Sequence, residues 1–315
     1  MPDSIIKTLA YFDIFNTPLT REELYRWLWE EKISNYTDFA RRLDDLEKQN
    51  KIAKKSGYYF LPEREEIANI RQRAVPIVEE KMQVAVRAGK KIRWIPFVEA
   101  IFVCNTVAGG GVKKESDIDV FIIIKNGRLW LSRFLTTIIL SIFNLRRNKK
   151  HIANKICLSF YATGDGLDFS KIKIADPDIY LVYWLENLIP VYDPNNALQK
   201  IKYKNQWAKK YLPNTEDDYQ TLYRWQATDS KLSKAIRSFF EKAWGGKYGD
   251  MLEAQAKKIQ QAKMKMNSTK GNKFGVIIND NMLKFHENDR REQFQNEWKI
   301  KAYEAIVCNH KLICQ

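Results

Sequence analysis

The chain has 315 residues, 45% apolar and 13% aromatic, enough to close two or three packed cores, which excludes a low-complexity or disordered chain. Its 53 basic against 38 acidic residues leave a formal charge of +15, which favours an anionic partner, and among nucleic acid, nucleotide and membrane the first fits best. The opening MPDSIIKTLAYFDIF has no basic residue ahead of its first apolar positions, so no secretory signal is read, and four cysteines without CxxC spacing fit reduced thiols in a cytoplasmic protein.

Residues 1–62 predict three helices and a hairpin. Ile5, Ile6, Leu9, Phe12 and Phe15 recur at helical spacing until Asn16-Thr17-Pro18 stops the helix. Thr20 and Glu23 make a capping box ahead of Leu24, Trp27 and Leu28, and a third helix from Thr37 to Gln49 carries Phe39, Leu43 and Leu46. Lys51 to Lys55 and Tyr58 to Leu61 flank Ser56-Gly57, a two-residue turn. This order resembles the winged-helix domains of bacterial regulators, and the resemblance implies that Arg41 and Arg42 on the third helix contact DNA. Asp38, Asp44, Asp45 and Glu47 on the same helix repel phosphates, so protein contact stands beside DNA binding as its role. Residues 63–91 form a helical connector with an apolar face of Ile67, Ile70, Ile77, Met82 and Val86, in which Pro76 is expected to introduce a kink or start a second helix.

The most informative stretch is Ile101 to Lys125, IFVCNTVAGGGVKKESDIDVFIIIK. Val98 to Cys104 and Val120 to Ile124 suit strands buried on both faces, and Gly109, Gly110 and Gly111 let the chain turn and let amides approach a phosphate. Asp117 and Asp119 are two apart, so on a strand both carboxylates project to one side while Ile118 points to the other. Their mutual repulsion is relieved by a divalent cation with oxygen ligands, Mg²⁺ or Mn²⁺, shared with substrate phosphates.

A glycine turn followed by Asp-x-Asp opening an apolar strand resembles the nucleotidyltransferase superfamily that includes DNA polymerase β. The matching residues are Asn105-Thr106 where the family has Gly-Ser, then Gly110, then Asp117-Ile118-Asp119. The resemblance implies an α+β fold in which an N-terminal winged helix precedes a nucleotidyltransferase-type mixed sheet flanked by helices at 92–193, followed by a mainly helical region at 194–315. It implies Asp117 and Asp119 as catalytic metal ligands. It further implies a nucleoside triphosphate held by Asn105, Thr106, the amides of Gly109 to Gly111, Lys113 and Lys114, and transfer of its nucleoside monophosphate to an acceptor hydroxyl. The alternative is a catalytically impaired regulator that binds nucleotide or nucleic acid without transfer. Active members of the family carry a third carboxylate on a later strand. On Lys155 to Tyr161, KICLSFY, Cys157 or Ser159 occupies that place, and Asp165 and Asp168 lie beyond the strand. Asn105 in place of glycine crowds a phosphate.

Leu129 to Leu145 is apolar, yet its length, the interruption by Arg133 and the strand that follows favour a core helix over a membrane span. A helix follows from near Asp178 and ends before Pro190, with Trp184 and Leu188 in the core. In Leu198 to Asn214, Lys200, Lys202, Lys204, Lys209 and Lys210 interleave with Tyr203, Trp207 and Tyr211, a pattern for either nucleic-acid stacking or a solvated lysine face over an aromatic core stripe. Residues 267–273, NSTKGNK, predict a loop, GVIIND a short strand, and the stretch from Met282 a closing helix, at whose start His286, Asp289 and Arg290 read as local caps. Cys308, His310 and Cys314 lack a fourth partner at zinc spacing. With KICLSFY, WAKKYLPN and LKFHENDRR as further matching stretches, the whole order resembles a group of uncharacterised bacterial nucleotidyltransferase-like proteins.

Overall fold

The computed structural model describes residues 2–216, 221–267, 275–286 and 288–311. Helices α1 (Pro2–Asp13), α2 (Arg21–Arg26) and α3 (Tyr36–Lys48) precede a hairpin of β1 (Ala53–Lys55) and β2 (Tyr58–Phe60). The capping box on α2 forms as expected, with Glu23 N donating to Thr20 Oγ1 and Thr20 N donating to the Glu23 carboxylate. Helix α4 (Glu66–Ile92) then runs through Pro76 as one helix, so no second helix begins there. Of its expected apolar face, Ile67, Met82 and Val86 are buried and Ile77 packs against the core, while Ile70 is exposed.

The chain continues through β3 (Val98–Val103), the single turn α5 (Asn105–Gly109), β4 (Ile118–Ile124), α6 (Leu129–Ile142) and β5 (Ile156–Thr163). It goes on through α7 (Ile179–Glu186), β6 (Ile189–Tyr192) and α8 (Ala197–Lys204), then α9 (Lys231–Ala243), α10 (Lys247–Asn267), β7 (Val276–Ile278), β8 (Met282–Phe285) and α11 (Arg291–Lys311). One mixed sheet has the order β6-β3-β4-β5-β8-β7, parallel only between β4 and β5. Ile118, Val120, Ile122 and Ile124 join the core under α4 and α6, whereas Phe121 and Ile123 join the core under α7 and α8. The strand is therefore buried on both faces, as its continuous apolar run predicts. No helix among the described residues is long and apolar enough to cross a membrane, and α6 is a core helix against α4, β5 and α10. Its first amides, at Trp130 and Leu131, donate to the Glu253 carboxylate of α10, a cap supplied by a distant helix.

Two expectations change. Met282–Phe285 is a strand, and the closing helix starts only at Arg291. Without β8 the edge of β5 would present unpaired backbone groups, and pairing that edge outweighs the local helical pattern. The C-terminal region thus contributes two strands to the central sheet. The segment 268–274, which holds most of the expected loop, and the side chains of Cys308, His310 and Cys314 lie outside the described residues.

Residues 1–62 share their core with the rest of the chain. Tyr11 stacks on Tyr183 of α7 at 4.2 Å, Trp29 stacks on Tyr211 at 5.2 Å, and Trp298 of α11 donates to Lys7 O. Tyr183 and Trp29 are each 1% exposed, and burial of such side chains contributes roughly 1.5–3 kcal/mol apiece, so this contact fixes the N-terminal helices against the sheet.

A buried lysine sets the approach to β4. Lys81 of α4 is fully buried and donates to Lys114 O at 3.1 Å, Ser116 O at 2.6 Å and Asn154 Oδ1 at 2.8 Å. It pins the loop before Asp117 to the turn before β5. Lys81→Met keeps the volume but strands these acceptors, so unfolding in urea should show a loss of about 1.5–3 kcal/mol, the scale for hydrogen bonds to a charged group.

Candidate metal and nucleotide site

Asp117 and Asp119 stand at the head of β4, and the odd-numbered side of that strand turns them toward the face covered by α7. The ladder sets Asp119 opposite Cys157 of β5, and the Asp117, Asp119 and Cys157 donor atoms all lie within 4.8 Å of one another. Asp117 Oδ2 accepts from Arg147 Nη1 at 2.7 Å, and the same nitrogen is 3.6 Å from Cys157 Sγ. Ser159 Oγ donates to Asp119 Oδ1 at 3.4 Å, and His286 Nε2 lies 3.3 Å from that hydroxyl. Burial raises the Asp119 pKa above the usual carboxylate value, and the charge of Asp117 adds to the rise. Burial and then the two aspartates push the Cys157 thiol up to about 12. The group is thus rich in negative charge that a cation would relieve, and its two carboxylates and one sulfur fit a divalent ion.

Asn105 opens α5 in the left-handed region, at φ +56°, where asparagine is one of the few tolerated side chains. Its Oδ1 accepts from Trp184 Nε1 at 3.0 Å and Tyr180 Oη at 3.3 Å, and its side chain partly offsets the rise in the Asp119 pKa. Thr106 is exposed at the start of the same turn, and Lys113 and Lys114 are exposed on the loop beyond it. The glycines have a different neighbourhood. Gly109 O accepts from Arg71 Nη1 at 3.2 Å, and a Cβ on Gly110 would fall 1.7 Å from that nitrogen. A Cβ on Gly111 would sit 3.1 Å from Phe15 O and from Thr17 Oγ1. The close approach these glycines permit is made, in this structure, by the N-terminal helices and by Arg71, which also pairs with Glu23 at 2.8 Å.

A cavity of about 240 Å³ adjoins Asn105. Its walls include Tyr180, Trp184, Phe294, Lys284, Arg290 and Arg291. Beneath it, Lys284 and Arg291 both pair with Asp289, and Arg291 also pairs with Asp178, with all four side chains nearly buried. Burial opposes ionisation of Asp289, but the hydrogen bond and charge of Arg291, with Lys284, hold its pKa down at about 2. Asp289 also accepts from Arg291 N at the start of α11, which matches its expected capping role. His286 is no cap. It reaches across from the end of β8 to Ser159, a contact invisible to sequence because it depends on β8 pairing with β5. Arg147 is invisible to sequence for a different reason, since it reaches the site through the backbone bridge of Arg146 and Arg147 to Ile156 at the start of β5. It follows an apolar helix in a basic run, and nothing local ties it to Asp117.

The remaining expected residues lie elsewhere. Asp165 and Asp168 sit beyond the far end of β5, where Asp165 lines a separate cavity of about 1370 Å³ with Lys125, Lys200 and Tyr203. In the basic segment, Tyr211 is buried against Trp29, Trp207 is half-buried and Tyr203 is 75% exposed. Lys202 pairs with Glu186, Lys204 donates to Gly164 O and Lys209 to Thr215 O, so most of this pattern is core and tethered lysine. On α3, Arg41 pairs with Asp38, and Arg42 holds Glu31 through both oxygens.

No family model, curated protein or solved structure matches this chain.

Burial, followed by the positive charge of Lys284, lowers the His286 pKa from 6.5 to about 4. The unfolded chain therefore binds this proton first, and the stability tied to neutral His286 is present above pH 6.5 and lost as the pH falls toward 4. Replacing His286 with Gln should flatten the decline between those two values in urea titrations. An equal decline in wild type and variant would assign it to other groups.

Proposed function

We propose that the chain is a divalent-metal-dependent nucleotidyltransferase, which moves a nucleoside monophosphate from a nucleoside triphosphate to an acceptor hydroxyl. The observation that carries this reading is the pair Asp117 and Asp119, side by side at the head of a central strand and grouped with Cys157 within 4.8 Å. The strand arrangement supports it, since β3 runs antiparallel to β4 and β4 parallel to β5, which sets a third donor beside the aspartates.

In this reading Asp117 and Asp119 hold the ion, Mg²⁺ or Mn²⁺ by analogy with the family. The ion when bound neutralises charge that develops on the phosphoryl oxygens. The exposed Thr106 orients the triphosphate and Lys113 and Lys114 offset its charge, whereas the turn at Gly109 to Gly111, expected to share that role, faces Arg71 and the N-terminal helices instead. The acceptor oxygen bonds to the α-phosphorus as the bond to pyrophosphate breaks, and the hydroxyl proton leaves to water. The cavity beside Asn105, with aromatic walls and the cation Arg290, suits a ring and an anionic group of one substrate. Nucleic acid is one acceptor that the positive charge of the chain favours.

A second reading has its own observation. Arg147 occupies Asp117 at 2.7 Å, and the third donor is not a carboxylate, an arrangement that suits a regulator binding nucleotide or nucleic acid without transfer.

Labelled triphosphates of all four bases, with Mg²⁺ or Mn²⁺ and with RNA, DNA or the protein itself as acceptor, decide between the two. Transfer is expected, and Asp119→Asn should lower it at least about a hundredfold, the scale on which losing a charge-stabilising group slows an enzyme. The metal–triphosphate pair should also raise the melting temperature of wild type but not of the Asp117→Asn, Asp119→Asn double variant. A rise in melting temperature without transfer to any acceptor would favour the regulator.

A further inference from the structure

The donor set is not all oxygen. Among the described residues, the group formed by Asp117 and Asp119 gains only the Cys157 sulfur as a third donor, and no other carboxylate joins it. The placement follows from the ladder, because Cys157 is the direct partner of Asp119 across parallel β4 and β5, so its side chain shares the carboxylate's face. Ser159 is the nearest oxygen alternative on β5, but its hydroxyl lies between Asp119 Oδ1 at 3.4 Å and His286 Nε2 at 3.3 Å. Asp165 and Asp168 are beyond the other end of that strand.

We propose that Cys157 is the third ligand of this site, and that the site selects a thiophilic divalent ion, zinc foremost, over Mg²⁺. The inference rests on the reading of Asp117 and Asp119 as metal ligands and says which metal they share with the sulfur. Carboxylates with water suit Mg²⁺ and Mn²⁺, whereas a sulfur ligand shifts preference toward zinc and cobalt. The distances fit. A tetrahedral ion with zinc–sulfur and zinc–oxygen bonds of ordinary length holds its donors about 3.3–3.6 Å apart. The three donors here lie within 4.8 Å of one another. The charge also closes: on binding the ion the Cys157 thiol gives up its proton to solvent, and the two carboxylates and the thiolate then carry three negative charges that the divalent ion and the Arg147 guanidinium neutralise together. The Arg147 side chain is 45% exposed, which leaves it room to yield the Asp117 oxygen while staying beside the sulfur.

The test is a Co²⁺ titration of the metal-stripped full chain, read by the near-ultraviolet sulfur-to-cobalt charge-transfer band, followed by competition with Zn²⁺ and Mg²⁺. Wild type should show the band and should prefer Zn²⁺ to Mg²⁺. Cys157→Ser should lose the band and bind Zn²⁺ at least about tenfold more weakly, the lower end of what loss of even a supporting group costs a metal site. Cys104→Ser and the Cys308→Ser, Cys314→Ser double variant should retain the band. Cys157→Asp should reverse the preference toward Mg²⁺ and Mn²⁺. Circular dichroism and melting curves establish that each variant folds. Cobalt bound without the band, an undiminished band in Cys157→Ser, or no cobalt bound by wild type would each overturn the proposal. Failure here and failure of the transferase reading are separable. Mg²⁺-supported transfer with a sulfur-free cobalt complex removes Cys157 as a ligand and keeps the transferase, whereas a sulfur-ligated complex without transfer in Zn²⁺, Co²⁺, Mg²⁺ or Mn²⁺ keeps the ligand and removes the transferase.

Discussion

The constraint on which the site depends is the burial of β4 on both faces. A central strand with helices above and below has no room for charge along its length, and the only carboxylates associated with it are Asp117 and Asp119, at its head. There the loop pinned by Lys81 and the short helix α5 leave the strand end partly open. Asp119 is still buried enough that its ionised form is disfavoured, and the charge of Asp117 adds to this. The strand that makes the sheet stable therefore makes the pair electrostatically strained. Arg147, Asn105 and Ser159 each offset part of that strain.

The second organising feature is the way both ends of the chain return to the sheet. Helix α11 packs along α1, with Trp298 and Lys301 tied to Lys7 O and Asp13, while β8 closes the edge of β5 just upstream. His286 reaches Ser159 only because of that closure, and Lys284, Asp289 and Arg291 build a buried ionic floor between β8 and α7. Breaking one member of such a network leaves an uncompensated buried charge, which makes the whole end of the cavity a single unit. The glycine turn is drawn into the same architecture, since Arg71 bridges Gly109 O to Glu23 of the N-terminal helices. A movement of residues 1–62 would be felt at that turn.

Local order was legible in the sequence wherever one interaction over a few residues decides it. The capping box of Thr20 and Glu23, the turn at Ser56-Gly57, the helix opened by Asp178 and the alternation that sets Asp117 and Asp119 on one side all depend on neighbours within a turn or a strand. Met282–Phe285 shows the limit, because a short apolar run is ambiguous by period and the need of β5 for a partner settles it. The aromatic and basic residues from Leu198 to Asn214 show another. Their spacing fits stacking platforms and core stripes alike, and only the position of Trp29 beneath Tyr211 decides the matter there.

By itself, then, the sequence determined the central buried strand, the paired carboxylates at its head and the mixed helix–strand order, because each is written in side-chain period and backbone preference over short range. Only the tertiary structure decided what faces those carboxylates. Cys157 and Arg147 arrive through the parallel ladder and the turn before it, His286 through the edge pairing of β8, and Lys81 from a helix far away in sequence. None of these contacts is specified by local period, since each depends on which strands become neighbours, and that is settled by the burial of whole faces and by the requirement that backbone groups at a sheet edge find partners.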